Sequence, residues 1–363
     1  MKMRSVTFVK KVPAEKPEEC LHLFENAGMG TTAFFITEAK SVAWWLLDKD
    51  FGPGYHFYKN QIKILNWKIL LMEPLNPIPQ CIDCLVSLAK NTVSLAADDQ
   101  PGLVEKSERA ARKILADAEI NPTSSPQIAN RILREVRRLS GADDPFAEFK
   151  IREMKQARKL FSQLEANVGK TLRSRVSLAA LGNNLDFFIN PEQALAEIPQ
   201  QLCNEITFFR DDIDQLEDCL RKTPGTVLYL TDNAGEIFFD WPLYEYIRDR
   251  SRKTILVVKG GPSLNDLTRA ELKAAGLEKR FDPVMDTGTD GAGIDWENVS
   301  ESFMDLLASA DLVISKGMAN FETLYSRDVA APVFFLFKVK CEPIQNYIQA
   351  PGSSFLALWK EGI

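Results

Sequence analysis

Short apolar runs alternate with amphipathic stretches through the C-terminal part of the chain. The runs are rich in Val, Ile and Phe, and the stretches between them carry apolar residues at helical spacing. This alternation is typical of β-α-β units, which build a parallel sheet covered by helices on both faces. We therefore expect an α/β domain of three α/β/α layers, with a mostly parallel sheet, over residues 223–363. The predicted strands are 225–232, 253–261, 310–317 and 331–340, and the predicted helices are 235–250, 264–276 and 296–309.

The preceding segment, residues 74–222, is predicted to form an all-helical domain. Its stretches place apolar residues on one face and charges on the other, as surface helices do. One of them opens with Ser125 and Pro126, a favourable N-cap followed by a first-turn proline. Alternation of β-branched residues is scarce, so we expect no strand in this domain.

Residues 1–73 follow neither pattern. They are rich in aromatic residues but show no sustained helical or strand period. Two interpretations are open for this poorly defined N-terminal extension. Residues 1–71 are an upstream extension or start-site artefact ahead of Met72, or they form a small accessory layer packed on the core. A mass spectrum of the native protein that starts at Met72 would decide for the artefact.

The bulk properties exclude several classes of protein. A chain of 363 residues, 45% hydrophobic and 26% charged, has the composition of a globular protein of about two domains. Its net charge of -6 argues against a nucleic-acid-binding surface. No secretory signal is visible, and no apolar run approaches the ~20 residues of a membrane helix. With its six cysteines taken as reduced thiols, we expect a cytoplasmic protein without membrane partners, whose oligomeric state no pattern predicts.

Histidine is missing from most of the chain. Both histidines, His22 and His56, lie in its first fifth, and none follows Glu73. A Ser-His-Asp triad and a His-ligated zinc site are therefore excluded from the main body, unless the N-terminal segment folds back onto it. Chemistry there must use carboxylates, amides, lysines, hydroxyls, thiols or a bound metal.

Polar clusters follow the predicted strands. The carboxyl ends of parallel strands meet at one edge of the sheet, so we expect these clusters to share a crevice. Aspartate and asparagine oxygens suit Mg²⁺ or Mn²⁺, lysines suit phosphate oxygens, and glycine turns let backbone N–H groups approach an anion. The absence of GxGxxG after the first strand, and of GxxxxGK[ST], disfavours dinucleotide and P-loop sites. The clusters contain Asp232, Asn233, Gly235 and Glu236; Lys259, Gly260, Gly261, Asn265 and Asp266; Asp286 and Asp290; Lys316, Gly317, Asn320 and Glu322; and Lys338 and Lys340.

Structural alternatives remain for each of these residues. Asp232 and Asp266 would also serve as N-caps of the following helices, glycines after strands are often plain turns, and Lys340 would suit a solvated strand end. The coincidence at four strand ends favours a site. The Cys81-Ile82-Asp83-Cys84 motif is likewise open, as half a metal site or redox pair, or as two buried thiols on a helix.

Several motifs resemble those of a known family. The segments DNAGEIFFDWPL, GGPSLNDLT, KGMANFETL and FKVKCEPI, with the Gly-Asn-x-x-Asp-Phe element of ALGNNLDFFI, resemble the damage-control phosphatase family, also called domain of unknown function 89. The CIDC motif is similar to its prokaryotic branch. The resemblance covers Pro74 to Ile363 and implies a helical domain packed on a Rossmann-like domain. It also implies hydrolysis of phosphate monoesters, namely sugar phosphates and damaged or side-product metabolites, with Mn²⁺, Co²⁺, Ni²⁺ or Mg²⁺.

The resemblance assigns roles to particular residues. It implies that the metal ligands are Asp232, Asn233 and Asp266, and that Lys340 holds the phosphate. Either aspartate would accept the proton of the attacking water. The Met318-Ala319 pair departs from the Gln-Gly of the family motif, which leaves the substrate's shape open. The substrate-binding residues implied are Asn183 and Asp186 from the helical domain, and Glu236, Lys316, Gly317, Asn320 and Glu322.

Two further functions compete with phosphatase activity. A eukaryotic relative in the resembled family has been assigned carboxyl methylation with S-adenosylmethionine, a cofactor that a Rossmann-like sheet can accept. The Asp-Asn pair after the first strand, in place of a glycine-rich loop, counts against it. The other alternative is a metal-binding protein without turnover. Metal-dependent phosphate release, metal-independent methyl transfer, or metal binding alone would separate the three.

Overall fold

The structure is a computed structural model that describes residues 6–8, 32–36, 42–45, 79–97, 101–120, 123–184 and 206–360. The chain divides into two compact units, Met1–Met72 and Glu73–Ile363. In the first unit, β1 pairs in parallel with β2, and β2 pairs antiparallel with β3. Within the described residues, no helix is long and apolar enough to cross a membrane. The three strands are β1 (Val6–Phe8), β2 (Thr32–Ile36) and β3 (Val42–Trp45).

The second unit is built on a seven-stranded sheet with helices on both sides. Its strand order is β4-β10-β9-β8-β5-β6-β7, and the five strands from β9 to β7 are mutually parallel. The prediction of a mostly parallel α/β fold is confirmed. The strands are β4 (Phe208–Asp211), β5 (Thr226–Leu230), β6 (Lys253–Val258), β7 (Val284–Asp286), β8 (Leu312–Lys316), β9 (Val333–Lys338) and β10 (Phe355–Trp359).

Burial on both faces explains why the central strands are apolar at nearly every position. All of β8 and most of β5 and β9 are buried, because helices cover both sides of a parallel sheet. The chain runs from β5 outward to β6 and β7, then returns to β8 and β9 on the other side of β5. Strand order therefore reverses between β5 and β8, and a ligand crevice is expected at the carboxyl ends of these two strands.

The helices before β4 confirm the helical N-terminal region of this unit. Helix α3 begins at Ser125, with Pro126 in its first turn, and ends at Gly141 in the left-handed conformation. Its N-cap is Ser124, one residue before the predicted cap. The helices of the unit are α1 (Pro79–Ala97), α2 (Pro101–Ile120), α3 (Ser125–Ser140), α4 (Ala147–Leu164), α5 (Leu172–Asn184), α6 (Ile213–Arg221), α7 (Ile237–Arg248), α8 (Arg269–Ala274), α9 (Glu301–Ala308), α10 (Met318–Leu324) and α11 (Glu342–Ile348).

In the second unit, strands β4 and β10 were not predicted. Strand β4 lies in the segment expected to be free of strands, and it has one buried residue, Phe208, followed by three exposed ones. Four residues with that pattern show no strand period, so only pairing with β10 at the sheet edge defines β4. The helical spacing of apolar residues predicts a further helix over 190–206. That segment lies outside the described residues, apart from its last residue.

Candidate active site at the carboxyl edge of the sheet

The site begins where β5 ends. The Thr231 N–H donates to the carbonyl of Val257 at 3.0 Å, which extends the pairing of β5 with β6 by one residue. Asp232 follows, and only 8% of its surface is exposed. Asn233 has extended backbone angles before the chain turns into a short 3-10 helix, Ala234–Glu236, that leads into α7. The turn thus places Asp232 and Asn233 at the mouth of the predicted crevice.

Backbone hydrogen bonds bring Asp266 next to this turn. The Leu267 N–H donates to the carbonyl of Asp232 at 2.9 Å, and the Ala234 N–H donates to the carbonyl of Asn265 at 2.8 Å. Asn233 and Asp266 form an isolated antiparallel bridge between these bonds. The structure therefore brings together the backbones of Asp232, Asn233 and Asp266, which come from two neighbouring strand ends.

Neither aspartate caps a helix by its side chain. The N-cap of α8 is Thr268, which forms a capping box with Glu271, and the helix begins at Arg269 rather than at residue 264 as predicted. The segment that carries Asp266 is therefore a loop. After β5, the residue that caps the 3-10 helix is Asn233, without a side-chain cap hydrogen bond. The N-cap alternative for Asp232 and Asp266 is thus wrong.

The three side chains have oxygens left for another ligand. Asp232 Oδ2 accepts from Asn183 Nδ2 at 2.8 Å, and among the described residues no hydrogen bond reaches its Oδ1. Asn233 Nδ2 donates to Glu236 Oε1 at 2.7 Å, which leaves its own carbonyl oxygen available. Asp266 Oδ2 is buried, no hydrogen bond reaches it from the part of the chain that the structure describes, and Lys259 Nζ lies 3.6 Å from it. A buried unpartnered carboxylate oxygen is unusual, and this oxygen donor set fits a hard divalent cation.

Electrostatics support the same fit. Burial, with the carboxyls of Glu236 and Asp266 nearby, raises the pKa of Asp232 to about 8. Burial also raises the pKa of Asp266 to about 6, although the ammonium of Lys259 favours its charged form. A divalent cation in this position would stabilise both charged forms. Over the described part of the chain, no three His, Cys, Asp or Glu side chains form a metal-binding group, and the predicted set consists of two carboxylates and an amide.

Asn183 connects the helices that precede β4 to the site. It lies in the last turn of α5 and is buried. Its Nδ2 donates to Asp232 Oδ2 and to Glu236 Oε1, both at 2.8 Å, and its Oδ1 accepts from the Lys338 N–H at 3.0 Å. One amide thus holds two carboxylates and the end of β9. Its predicted partner, Asp186, lies outside the described residues.

The two lysines predicted to hold phosphate differ in their placement. Lys316 ends β8 and is fully buried, and its ammonium donates to Glu236 Oε2 at 2.9 Å and Asp240 Oδ1 at 2.6 Å. Burial opposes the charged form of Glu236, but Lys316 and Lys340 outweigh it and lower the pKa of that carboxyl. Lys316 is therefore placed to hold Glu236 and not to contact a substrate. Lys340 is exposed, and its charge acts on Asp232 and Glu236.

The residues that follow Lys316 have separate positions. Gly317 has φ 83 and ψ 160, and a Cβ there would overlap the carboxyl of Asp232. Its N–H donates to the carbonyl of Leu336, so it is not aimed at an anion as the glycine turns predicted. Asn320 is buried and donates to the carbonyls of Thr231 and Lys316 at 2.9 and 2.8 Å. Gly317 therefore packs against Asp232, and Asn320 joins the ends of β5 and β8, so both residues form part of the wall of the crevice.

Glu322 does not lie with the other predicted residues. No hydrogen bond among the described residues joins it to the carboxylates at the strand ends. It lies close enough to Cys84 and Cys341 to act on them electrostatically. Cys81 is partly buried and Cys84 is exposed, so the interpretation of the motif as two buried thiols is wrong.

The loop that carries Asp286 and Asp290 packs against α3. Arg134 Nε donates to Asp290 Oδ1 at 2.7 Å, and Arg137 pairs with the same carboxylate. Asn130 Oδ1 accepts from the Ala292 N–H at 2.8 Å, and its Nδ2 donates to the carbonyl of Ala292 at 3.2 Å. The Asp290 carboxylate is thus paired with arginines of α3 and does not join the carboxylates of Asp232 and Asp266.

Two buried charged residues lie beside the predicted ligands. The sequence pattern placed Lys259 in the polar cluster after β6 but gave it no role, and it missed Glu153. Lys259 donates to the carbonyl of Gly293 at 2.7 Å and to Asn320 Oδ1 at 3.2 Å, and it lies beside Asp266. Glu153, on α4, accepts from the Gly235 N–H at 3.1 Å and from Asn265 Nδ2 at 3.2 Å. Burial raises the pKa of Glu153 to about 8. The signal for Glu153 was its spacing, because it falls among the buried positions of α4.

Comparison with known proteins identifies the family. The family model described as "Damage-control phosphatase ARMT1-like domain" matches residues 78–354. A damage-control phosphatase of Pyrococcus horikoshii is 33% identical over 283 residues, covering 77% of this chain and 96% of that protein. One of Archaeoglobus fulgidus is 31% identical over 273 residues, covering 74% of this chain and 94% of that protein. The crystal structure of a DUF89 family protein from Pyrococcus horikoshii matches with a TM-score of 0.71 and 31% identity, over 78% of this chain and 98% of that chain. This chain therefore belongs to the ARMT1-like damage-control phosphatase family.

Proposed function

We propose that this chain is a metal-dependent phosphatase that hydrolyses phosphate monoesters of small metabolites, either sugar phosphates or damaged and side-product phosphometabolites. The observation that carries the proposal is the buried Asp266 Oδ2, which no hydrogen bond from the described residues reaches, next to Asp232 and Asn233 at the ends of β5 and β6. The names of the Pyrococcus and Archaeoglobus relatives support the phosphatase activity. The cation is Mn²⁺, Co²⁺, Ni²⁺ or Mg²⁺, because oxygen donors accept each of these ions.

Each residue of the site has a role in this proposal. Asp232, Asn233 and Asp266 hold the cation, which when bound neutralises charge on the phosphate and activates a water. Lys340 binds the phosphate oxygens, since it is the exposed ammonium beside two buried carboxylates. The oxygen of the attacking water bonds to phosphorus as the bond between phosphorus and the ester oxygen breaks. Asp232 or Asp266 accepts a proton of the water, and the leaving ester oxygen takes up a proton to become the alcohol. Inorganic phosphate and an alcohol are the products.

Other residues position these groups. Asn183 orients Asp232, and Lys316 keeps Glu236 charged and in place. Asn320 joins the ends of β5 and β8 through its two backbone hydrogen bonds. The contact of Asp186 with metal or substrate stays a prediction.

Two cavities, of about 240 and 320 Å³, flank the turn of Gly260 and Gly261 after β6. The smaller lies below and the larger just inside the range for small-molecule sites, roughly 300–1,000 Å³. Neither cavity is lined by a proposed metal ligand or by Lys340. We place the enzyme in the cytoplasm, a proposal that the four free cysteines of the described part of the chain support.

The test is release of phosphate from p-nitrophenyl phosphate with and without added Mn²⁺. The unaltered protein should be active only with the metal. Asp232→Ala should lose at least about 10²–10³ of the rate, the typical effect of removing one preorganised charge. Full activity in this variant ends the assignment. Methyl transfer from S-adenosylmethionine without phosphate release would favour the methyltransferase alternative instead.

A further inference from the structure

Glu153 is a buried carboxylate that the proposed reaction does not use. It lies on α4 in the helical layer and is 2% exposed. Among the described residues, two hydrogen-bond donors contact its carboxyl group, and neither of them is charged. Burying a carboxylate without a cationic partner is costly, so its place beside the metal ligands calls for a reason.

Its two oxygens contact the two turns that carry the predicted ligands. Oε1 accepts from the backbone N–H of Gly235, two residues after Asn233, and Oε2 accepts from the side chain of Asn265, which precedes Asp266. The same turns are joined directly by the backbone bonds between Asp232 and Leu267 and between Ala234 and Asn265. Glu153 thus fixes both turns against the helical layer.

The glycine of the Asp-Asn-Ala-Gly-Glu motif makes this contact possible. A Cβ at Gly235 would lie 2.7 Å from both Cγ and Oε1 of Glu153, which is closer than packed atoms allow. The sequence predicted that the N–H of Gly235 would approach an anion, and in the structure it donates to the carboxyl group of Glu153. Gly235 therefore leaves the space that the carboxyl group of Glu153 occupies.

We propose that Glu153 is a positioning residue for the metal ligands, which holds the turns after β5 and β6 at the separation that one divalent cation requires. This inference rests on the proposed function. Partners that orient metal ligands from outside the coordination sphere typically change metal affinity 10- to 100-fold when mutated. Because Glu153 acts through hydrogen bonds to two turns, we expect the length of its side chain to affect metal affinity more than its charge does.

Two variants separate the effect of side-chain length at position 153 from the effect of charge. Glu153→Asp keeps the carboxylate but is one methylene too short to contact both turns, and Glu153→Gln keeps the length and can accept from Gly235 while its amide donates to a flipped Asn265. The dissociation constant for Mn²⁺ is measured by calorimetry on the full-length protein, with melting temperature recorded alongside. We expect Glu153→Asp to weaken binding about 10- to 100-fold, and Glu153→Gln to stay within about threefold of the unaltered protein. Glu148→Asp, an exposed position on the same helix, is the control and should leave binding unchanged.

Three results overturn the inference. A role in stability alone would lower the melting temperature of Glu153→Asp while its Mn²⁺ affinity stayed within twofold of the unaltered protein. Equal weakening in both variants would show that charge and not position matters. If the unaltered protein binds no Mn²⁺, the proposed function falls as well, whereas a failure confined to the Glu153 variants leaves it standing.

Discussion

At the scale of single residues, the position of the Asp232 carboxylate depends on one glycine, Gly317. Gly317 combines a backbone conformation that is nearly confined to glycine with a position directly against Asp232. Sequence alone indicated a polar cluster after β8 but not this second constraint, because the neighbour comes from a strand 85 residues away in the chain. Side-chain contact across a sheet edge depends on strand order, which no local pattern encodes.

Gly317→Ala should therefore destabilise the protein and disturb the site. The backbone conformation alone is expected to cost about 1–3 kcal/mol of the free energy of unfolding, and overlap with Asp232 adds to it. Gly141→Ala is the matched control, since Gly141 also has positive φ but has no atom within 4 Å of an added Cβ. Urea unfolding of both variants measures the difference. Equal destabilisation would contradict the contact between Gly317 and Asp232.

The two lysines predicted for phosphate give a second contrast. Lys316→Met leaves Glu236 and Asp240 buried without their cation, and breaking such a buried pair typically costs about 3–5 kcal/mol. Lys340→Met removes an exposed ammonium, so it should leave stability nearly unchanged but lower phosphatase turnover by about 10²–10³. Thermal unfolding and phosphate release on both variants test this. A stable Lys316→Met variant would refute the assigned ion pairs.

At the scale of elements, burial decided what could be predicted. The strands β5, β6, β8 and β9 are apolar at nearly every position because helices cover them on both faces, so their existence followed from their composition. β4 has one buried residue, so only its pairing partner defines it. Helix α8 was predicted five residues too early because the capping box at Thr268 was not recognised, and those residues form the loop that carries Asp266.

Helix α3 holds the loop after β7 by charge, which gives a prediction about pH. Burial opposes the charged form of Asp290, but Arg134 and Arg137 outweigh it and lower its pKa in the folded protein. A lowered folded pKa stabilises the fold above the unfolded value, about 3.9, and that contribution disappears as pH falls through the folded value. Asp290→Asn should thus lose on the order of 1 kcal/mol at neutral pH, because the pair is partly exposed and screened.

The difference in unfolding free energy between the unaltered protein and Asp290→Asn should be constant from about pH 7 to 5 and close below about pH 4. Urea unfolding across this range measures it. Asp143→Asn, an exposed position without an ion pair among the described residues, is the control and should show no such closure. A difference that persists unchanged to about pH 3 would contradict the assigned pairs.

At the scale of the whole molecule, the site is assembled from distant parts of the chain. The family was predictable from sequence because its motifs are local, and the comparisons confirm it; its prokaryotic branch stays a prediction. The convergence of α4, α5, β5, β6 and β8 on one crevice follows from strand order and helix packing. This explains why Glu153 was missed, and why Lys259 was placed in the cluster after β6 without a role. Both are charged residues whose partners lie in other elements.

The central claim is that Asp232, Asn233 and Asp266 hold one divalent cation. Crystals grown with Mn²⁺ and measured at the manganese absorption edge test it directly. We predict a single anomalous peak within about 2.5 Å of a side-chain oxygen of each of the three residues, the distance range of oxygen ligands to such ions. A peak elsewhere, separate peaks at Asp232 and Asp266, or no peak at saturating Mn²⁺ would contradict the account.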